Sequence, residues 1–206
     1  MFLSRLQLSP APGCKALLRD LASPYEMHRT ILRAFPAAHA GGPGRVLFRL
    51  EPARPGCPPA VLVQSDKRPD WSALAAIPGY LLAAETKEIQ LDLRQGQRLR
   101  FRLRANPTVK RDGKRLGLLR EEDQRRWLVR KADLCGFRPL DFLTRHVLWR
   151  TSSPSGADKP APQTHLSVDY EGVLEVTDPG RLQDAVARGI GPAKAYGLGL
   201  LSLARV

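Results

Sequence analysis

The sequence predicts an α+β protein built as two tandem βαββαβ units. Three observations carry this reading. Short runs with period-two apolar alternation, bounded by proline and glycine, are interleaved with a few helix-period segments. The same order of elements occurs twice. The chain has 206 residues, 43% of them hydrophobic and spread along its length, which is enough to fill two small cores.

In the first half, residues 2–8 alternate loosely with period two and read as a strand. A helix signal follows at Ser23-Pro24-Tyr25-Glu26, where Ser23 is the N-cap, Pro24 suits the first helical position and Glu26 completes a capping box. This helix runs through Ile31 and Leu32 and stops near Phe35, because the residue before Pro36 is pushed out of the helical region. Residues 45–50 and 60–64 read as strands around a Pro- and Gly-rich loop at 52–59. A second helix starts at 71–76, and 80–91 fits either helix or strand.

The second half opens with a clear strand at 98–104 that ends before Asn106-Pro107. Residues 110–120 read as a basic loop, and a helix spans 121–135 with Gly136 placed to end it. Strands at 137–143 and 146–150 precede a Ser/Pro/Gly loop at 152–162. Residues 165–176 form either a strand pair or one long strand bent at Glu171-Gly172. Asp178-Pro179 starts a helix with Leu182, Ala185 and Val186 on one face and Gly189 at its end, and 198–203 is a last strand. Both halves therefore have the order of a ferredoxin-like (RRM-like) domain, at 1–91 and 96–206, joined near 92–95. The duplication is architectural, since the residues themselves do not repeat.

Charge narrows the function. Lys and Arg number 33 against 20 Asp and Glu, a formal charge of +13, which points to a polyanionic partner. No apolar run approaches the ~20 residues that span a bilayer, and the opening MFLSRLQLSP lacks the apolar core of a signal peptide. Cys14, Cys57 and Cys135 are far apart, as are His28, His39, His146 and His165, so no metal-ligand spacing stands out. The expectation is a protein of a reducing compartment whose chemistry runs on side chains alone.

Three motifs carry that chemistry. In Tyr25-Glu26-Met27-His28-Arg29 a helix puts residues three apart on one face, so Tyr25 and His28 converge on one substrate atom. Arg29 and Arg33 add a cationic edge, and the helix N-terminus offers N–H donors and a positive field to a phosphate. That field also disfavours imidazolium slightly, though it fades beyond the first turn. RNA supplies its own nucleophile, the 2′-hydroxyl. Cleavage then needs a base, a donor to the leaving 5′-oxygen and cations for the phosphorane charge. Histidine, with an ordinary pKa of ~6.5, suits the base, and tyrosine, at ~10, suits a positioner or donor. Spacing alone leans the other way, towards a Tyr25 packed in the core and a His28 that is only a polar helix residue.

The second motif is Arg98, Arg100, Arg102 and Arg104, which alternation places on one sheet face with Leu99, Phe101 and Leu103 on the other. Four like charges in a row need anions, either scattered carboxylates on a solvated face or a phosphate backbone. The third is the glycine-rich run at 189–199, which joins a helix to a strand, the reverse of the dinucleotide-binding order. It is either a tight structural turn or a binding loop in which Gly191 and Gly197 permit close backbone approach and Lys194 adds charge. His146 and His165 read as core or surface histidines. Trp71, Trp127 and Trp149 read as core rather than base-stacking platforms.

The strand at 2–6, the segment 24–29, the strand at 98–107 and the glycine run at 189–201 together resemble the CasE (Cse3) family. These are the CRISPR repeat-processing endoribonucleases of the type I-E Cascade complex, and the resemblance covers nearly the whole chain. It implies two tandem ferredoxin-like domains and a CRISPR repeat RNA hairpin lying across a basic face. It also implies metal-independent cleavage at the 3′ base of the hairpin, giving a 2′,3′-cyclic phosphate, with no cofactor and with the product retained. Tyr25 and His28 match the family's catalytic pair, with Arg29 and Arg33 beside them. Other Cascade subunits are the implied partners of a cytoplasmic protein that is a monomer when free. The family can carry a basic hairpin loop in the second domain that grips the RNA stem. Here the matching loop, 151–160, is mostly Ser, Pro and Gly, with Arg150 and Lys159 nearby, which shifts the load to the arginine strand. The competing reading from another class is a non-catalytic RNA-binding module in which Tyr25 and His28 are structural.

Overall fold

Each half of the chain folds four strands into one sheet with its first and third strands at the centre, the ferredoxin-like order. The computed structural model describes residues 1–206 apart from 11–12, 38, 40, 52–54 and 153–162, and for 146–152 and 163 it describes the backbone only. Two compact units result. The first comprises Met1–Gln90, Thr151–Gln163 and Ala195–Gly197, and the second comprises Leu91–Arg150, Thr164–Lys194 and Leu198–Val206. No described helix is long and apolar enough to cross a membrane.

In the first unit, β1 (Phe2–Leu8) pairs antiparallel with β3 (Ala60–Ser65) and β4 (Leu81–Glu88), and β2 (Val46–Glu51) flanks β3. The undecided segment at 80–91 is thus an edge strand. The expected helix is present as α2 (Pro24–Leu32), and a four-residue helix, α3 (Ser72–Ala75), lies between β3 and β4. Leu6, Leu8, Met27, Ile31, Phe48, Val61, Val63 and Leu74 close the core between sheet and helices. One element was absent from the expectation: α1 (Lys15–Ala22) leads directly into α2. It starts at Cys14 without a side-chain cap, so no start signal marks it in the sequence.

That extra helix corrects the capping box. Ser23 Oγ does accept the Glu26 N–H at 3.4 Å, but the Ser23 N–H donates to Arg19 O at 3.0 Å and closes α1. The Glu26 side chain, deprived of that donor, turns to Arg29 at 3.4 Å and Arg19 at 3.7 Å.

In the second unit, β5 (Arg98–Ala105) lies between β10 (Leu201–Arg205) and β9 (Gln163–Val176), with β8 (Phe137–Ser152) beyond β9. The two strands expected at 137–150 are one, and 165–176 is a single long strand. Gly172 is required there because a Cβ would collide with the backbone of Asp141 and Phe142. Helices α4 (Glu121–Leu134) and α5 (Pro179–Arg188) follow their caps, with Asp178 accepting the Arg181 N–H at 3.0 Å. The final strand starts three residues later than expected, since Gly197 and Gly199 have φ of +75° and +96°, outside the strand region. The basic loop at 110–120 is instead a hairpin of β6 (Thr108–Arg111) and β7 (Lys114–Gly117). Its two-residue turn, Asp112-Gly113, has φ of 49° and 76°, the primed geometry that suits a twisted hairpin.

The register of β5 against β9 corrects the arginine strip. Arg98, Arg102 and Arg104 lie directly across from Glu175, Glu171 and Asp169. Arg104 is buried and grips Asp169 through two bonds of 2.7 and 2.9 Å, and Arg102 approaches the same carboxylate at 3.7 Å. Of the two readings of the four-arginine row, carboxylate partners hold for Arg102 and Arg104, and only Arg98 and Arg100 stay exposed to an outside anion. The carboxylates on β9 sit too far along the chain for alternation in β5 to reveal them.

Asp169→Ala would strand a buried guanidinium and should cost ~3–5 kcal/mol in urea unfolding. Arg138→Ala, which breaks the exposed Arg138–Glu175 pair, should cost under ~1 kcal/mol.

Candidate active site

Helix α2 buries Pro24, Met27, Thr30 and Ile31 and leaves Tyr25 and His28 half-buried on its flank. The Ser23 cap fixes where the helix begins and so which face those two residues occupy. Beneath them a polar network ties the two helices together. Arg19 binds Asp20 at 2.8 Å and Thr30 at 3.1 Å, and the buried Tyr80 hydroxyl donates to Asp20 at 2.6 Å.

The His28 ring stacks on Phe48 with centroids 5.9 Å apart and planes 13° apart. Its Nδ1 is buried with no hydrogen-bond partner among the described residues. Burial lowers the imidazole pKa below its ordinary 6.5, because the charged ring would lose hydration that nothing replaces. Desolvation therefore favours the neutral ring. The Tyr25 ring meets Tyr196, with centroids 6.3 Å apart and planes at 32°. Burial, with a smaller contribution from Tyr25, raises the Tyr196 phenol. Gly197 follows at once, and its backbone lies against the Phe48 ring.

The structure thus brings Tyr25, His28 and Gly197 together within the first unit. Arg29 and Arg33 are exposed, Arg29 shared with Glu26 and Arg33 at the C-cap. Arg98, Arg100, Arg102, Arg104, Gly191 and Lys194 lie in the second unit. Arg98 and Arg100 are open there, whereas Arg102 and Arg104 face carboxylates. Lys194 folds back on Gly191 O at 2.6 Å, and a Cβ on Gly191 would press on the Trp127 ring at 3.1 Å, so this part of the glycine run is a packed turn. The Arg150 side chain and Lys159 lie outside the described residues. Two further rings reach the pair that the sequence does not single out: Phe48 reads there as one more core aromatic of β2, and Tyr196 is marked only by its place beside Gly197 in the glycine run. Among the described residues no three His, Cys, Asp or Glu side chains are grouped to hold a metal ion. A neutral imidazole beside a phenol, on a helix edged with arginine, can take and give protons at a phosphate.

A family model described as "CRISPR associated protein" matches residues 1–205. The chain is 43% identical to the CRISPR-associated endoribonuclease Cse3 of Thermus thermophilus, across 99% of this chain and 100% of the relative. It is 34% identical to the CRISPR system Cascade subunit CasE of Escherichia coli, across 99% of each. The structure of Thermus thermophilus Cse3 bound to an RNA representing a pre-cleavage complex superposes with a TM-score of 0.85 at 42% identity, covering 98% of both chains.

The His28 ring should titrate below 6.5 when followed by NMR, and Phe48→Ala, which lets water in, should raise the midpoint. The unfolded chain takes up this proton before the folded one. The contribution to stability is therefore whole above pH 6.5 and falls as pH drops towards the folded value.

Proposed function

The chain belongs to the CasE (Cse3) family of CRISPR-associated proteins, and from that premise we propose that it is an endoribonuclease that cleaves CRISPR repeat RNA. The observation that carries the proposal is His28, held neutral by burial against Phe48 beside Tyr25 at the start of α2. In this reading the hairpin of the repeat binds the protein, and the scissile phosphate at its 3′ base sits over α2. His28 Nε2 takes the proton from the 2′-hydroxyl, whose oxygen attacks phosphorus. The bond to the 5′-oxygen breaks, and that oxygen leaves with a proton. Tyr25 orients the phosphate or supplies that proton. The products are a 2′,3′-cyclic phosphate and a 5′-hydroxyl. Arg29 and Arg33 offset the phosphorane charge. With a base, a donor and an internal nucleophile, no metal ion is called for.

Domain roles follow. The catalytic helix belongs to residues 1–91, and 96–206 supply most of the phosphate contacts. Those contacts are Arg98, Arg100 and the β6–β7 hairpin, where Lys110, Arg111, Lys114 and Arg115 are all exposed. Cross-strand register sets Lys110 against Arg115 and Arg111 against Lys114, like charges that repel until an anion lies between them. The cleaved RNA stays bound as guide, and the protein with its RNA joins other Cascade subunits.

Cleavage of the repeat RNA should persist in EDTA and stop on a 2′-deoxy substitution just upstream of the scissile phosphate. His28→Ala should lose ~10²–10⁴-fold in rate with affinity retained. A deoxy substrate cut at the normal rate would overturn the internal-nucleophile mechanism. Lys114→Ala with Arg115→Ala should lower the log–log salt slope of RNA binding by about 2 without changing sequence preference.

A further inference from the structure

We infer that the turn at Tyr196-Gly197 is a positioning clamp for the catalytic pair, Tyr196 bracing the ring of Tyr25 and Gly197 bracing that of His28 through Phe48. The inference rests on the roles of Tyr25 and His28 proposed above. Of two successive residues far along the chain from α2, one meets Tyr25 and the other meets Phe48, on which His28 stacks. Tyr196 packs its ring against Tyr25 at 6.3 Å. Gly197, at φ +75°, presents bare backbone to Phe48: a Cβ there would sit 3.0 Å from the ring's Cε2. Phe48, itself fully buried in β2, is therefore held between that backbone and the His28 ring stacked upon it.

The physical consequence is restraint. Tyr25 and His28 are half-exposed, and no hydrogen bond among the described residues fixes Nδ1 of the histidine. A ring with no hydrogen bond at its buried nitrogen is oriented by packing alone. The packing surface is Phe48, and Gly197 determines how far Phe48 can retreat. A glycine is required twice over, for the left-handed backbone and for the absent Cβ. Tyr196 is a positioning residue and not a catalytic one, since it acts on Tyr25 by ring contact. Misplacement of a reacting group by about 1 Å is enough to slow chemistry by ~10²-fold, so loss of either brace should be read in rate rather than in affinity.

The test is single-turnover cleavage of repeat RNA by the full chain, with RNA affinity, the rate against pH and the His28 ring titration by NMR measured on each variant. Tyr196→Ala should slow cleavage by ~10–10²-fold with affinity unchanged, and Tyr196→Phe, which keeps the ring, should restore the rate. Gly197→Ala, whose Cβ would press on Phe48, should shift the titration midpoint of His28 and move the acid limb of the rate profile with it. If Gly197→Ala does not fold, Tyr196→Ala and its rescue carry the test. The clamp is overturned if Tyr196→Ala cuts at the wild-type rate, or loses rate and affinity together as an RNA contact would. It is also overturned if Tyr196→Phe fails like the alanine variant, or if folded Gly197→Ala leaves the His28 titration unmoved. His28→Ala run in parallel separates the two ideas: normal cutting by that variant sinks the proposed base, whereas inert His28→Ala with unaffected Tyr196 and Gly197 variants sinks only the clamp.

Discussion

The structure of the site depends on one residue used by two helices. Ser23 closes α1 with its N–H on Arg19 O and opens α2 with its Oγ under the Glu26 N–H. Because no linker separates the helices, their relative rotation is set within a single residue, and with it the face on which Tyr25 and His28 emerge. Arg19 reinforces the joint by reaching from α1 to Thr30 and Glu26 on α2. The buried Asp20 is anchored in turn by Tyr80, whose phenol is pushed far upward by burial and by that carboxylate. An N-cap is ordinarily worth ~1 kcal/mol. Here the same atom group also decides a direction, which is a larger role than its energy suggests.

Burial of His28 costs stability and supplies function by the same physics. An imidazole stacked on Phe48 with an unbonded Nδ1 gives up hydration, and the folded chain holds its proton more weakly for that reason. His165 shares this burial and the lowered pKa that follows from it, so desolvation alone does not single out His28. What distinguishes His28 is its place on α2, three residues from Tyr25 and stacked on Phe48.

Much of this was legible in the sequence, because the signals are local. Ser23-Pro24, Asp178-Pro179 and Gly136 mark helix ends within one turn of themselves, and alternation in 2–8 and 98–104 marks the central strands of both sheets. The Tyr25–His28 spacing was visible for the same reason. What escaped was either unmarked or remote. Helix α1 has no capping side chain, so nothing announces it. The Asp112-Gly113 turn was written in the sequence but lay inside a run of cations that resembled a loop. Phe48 and Tyr196 reach the site only through tertiary contact, and no period or spacing in one strand or one loop predicts which ring will meet which.

The surplus charge is the place where alternation pointed one way and pairing the other. Along β5 the sequence shows four arginines and conceals the carboxylates of β9 that face three of them. Arg104 is locked to Asp169 with Arg102 near the same carboxylate, and Glu175 is drawn to Arg138, so only the Arg98–Arg100 end of the strand keeps exposed cations. The β6–β7 hairpin is built the opposite way. Its cations face one another across the ladder, and no ion pair joins them to an acid among the described residues. Carboxylates opposite Arg102 and Arg104 offset their charge within the fold, whereas the cations facing one another across the hairpin repel, a repulsion that a bound anion would relieve. The exposed part of the +13 surplus therefore lies on the hairpin, along α2 and at the Arg98–Arg100 end of β5, not along the whole strand where the arginine spacing is most regular.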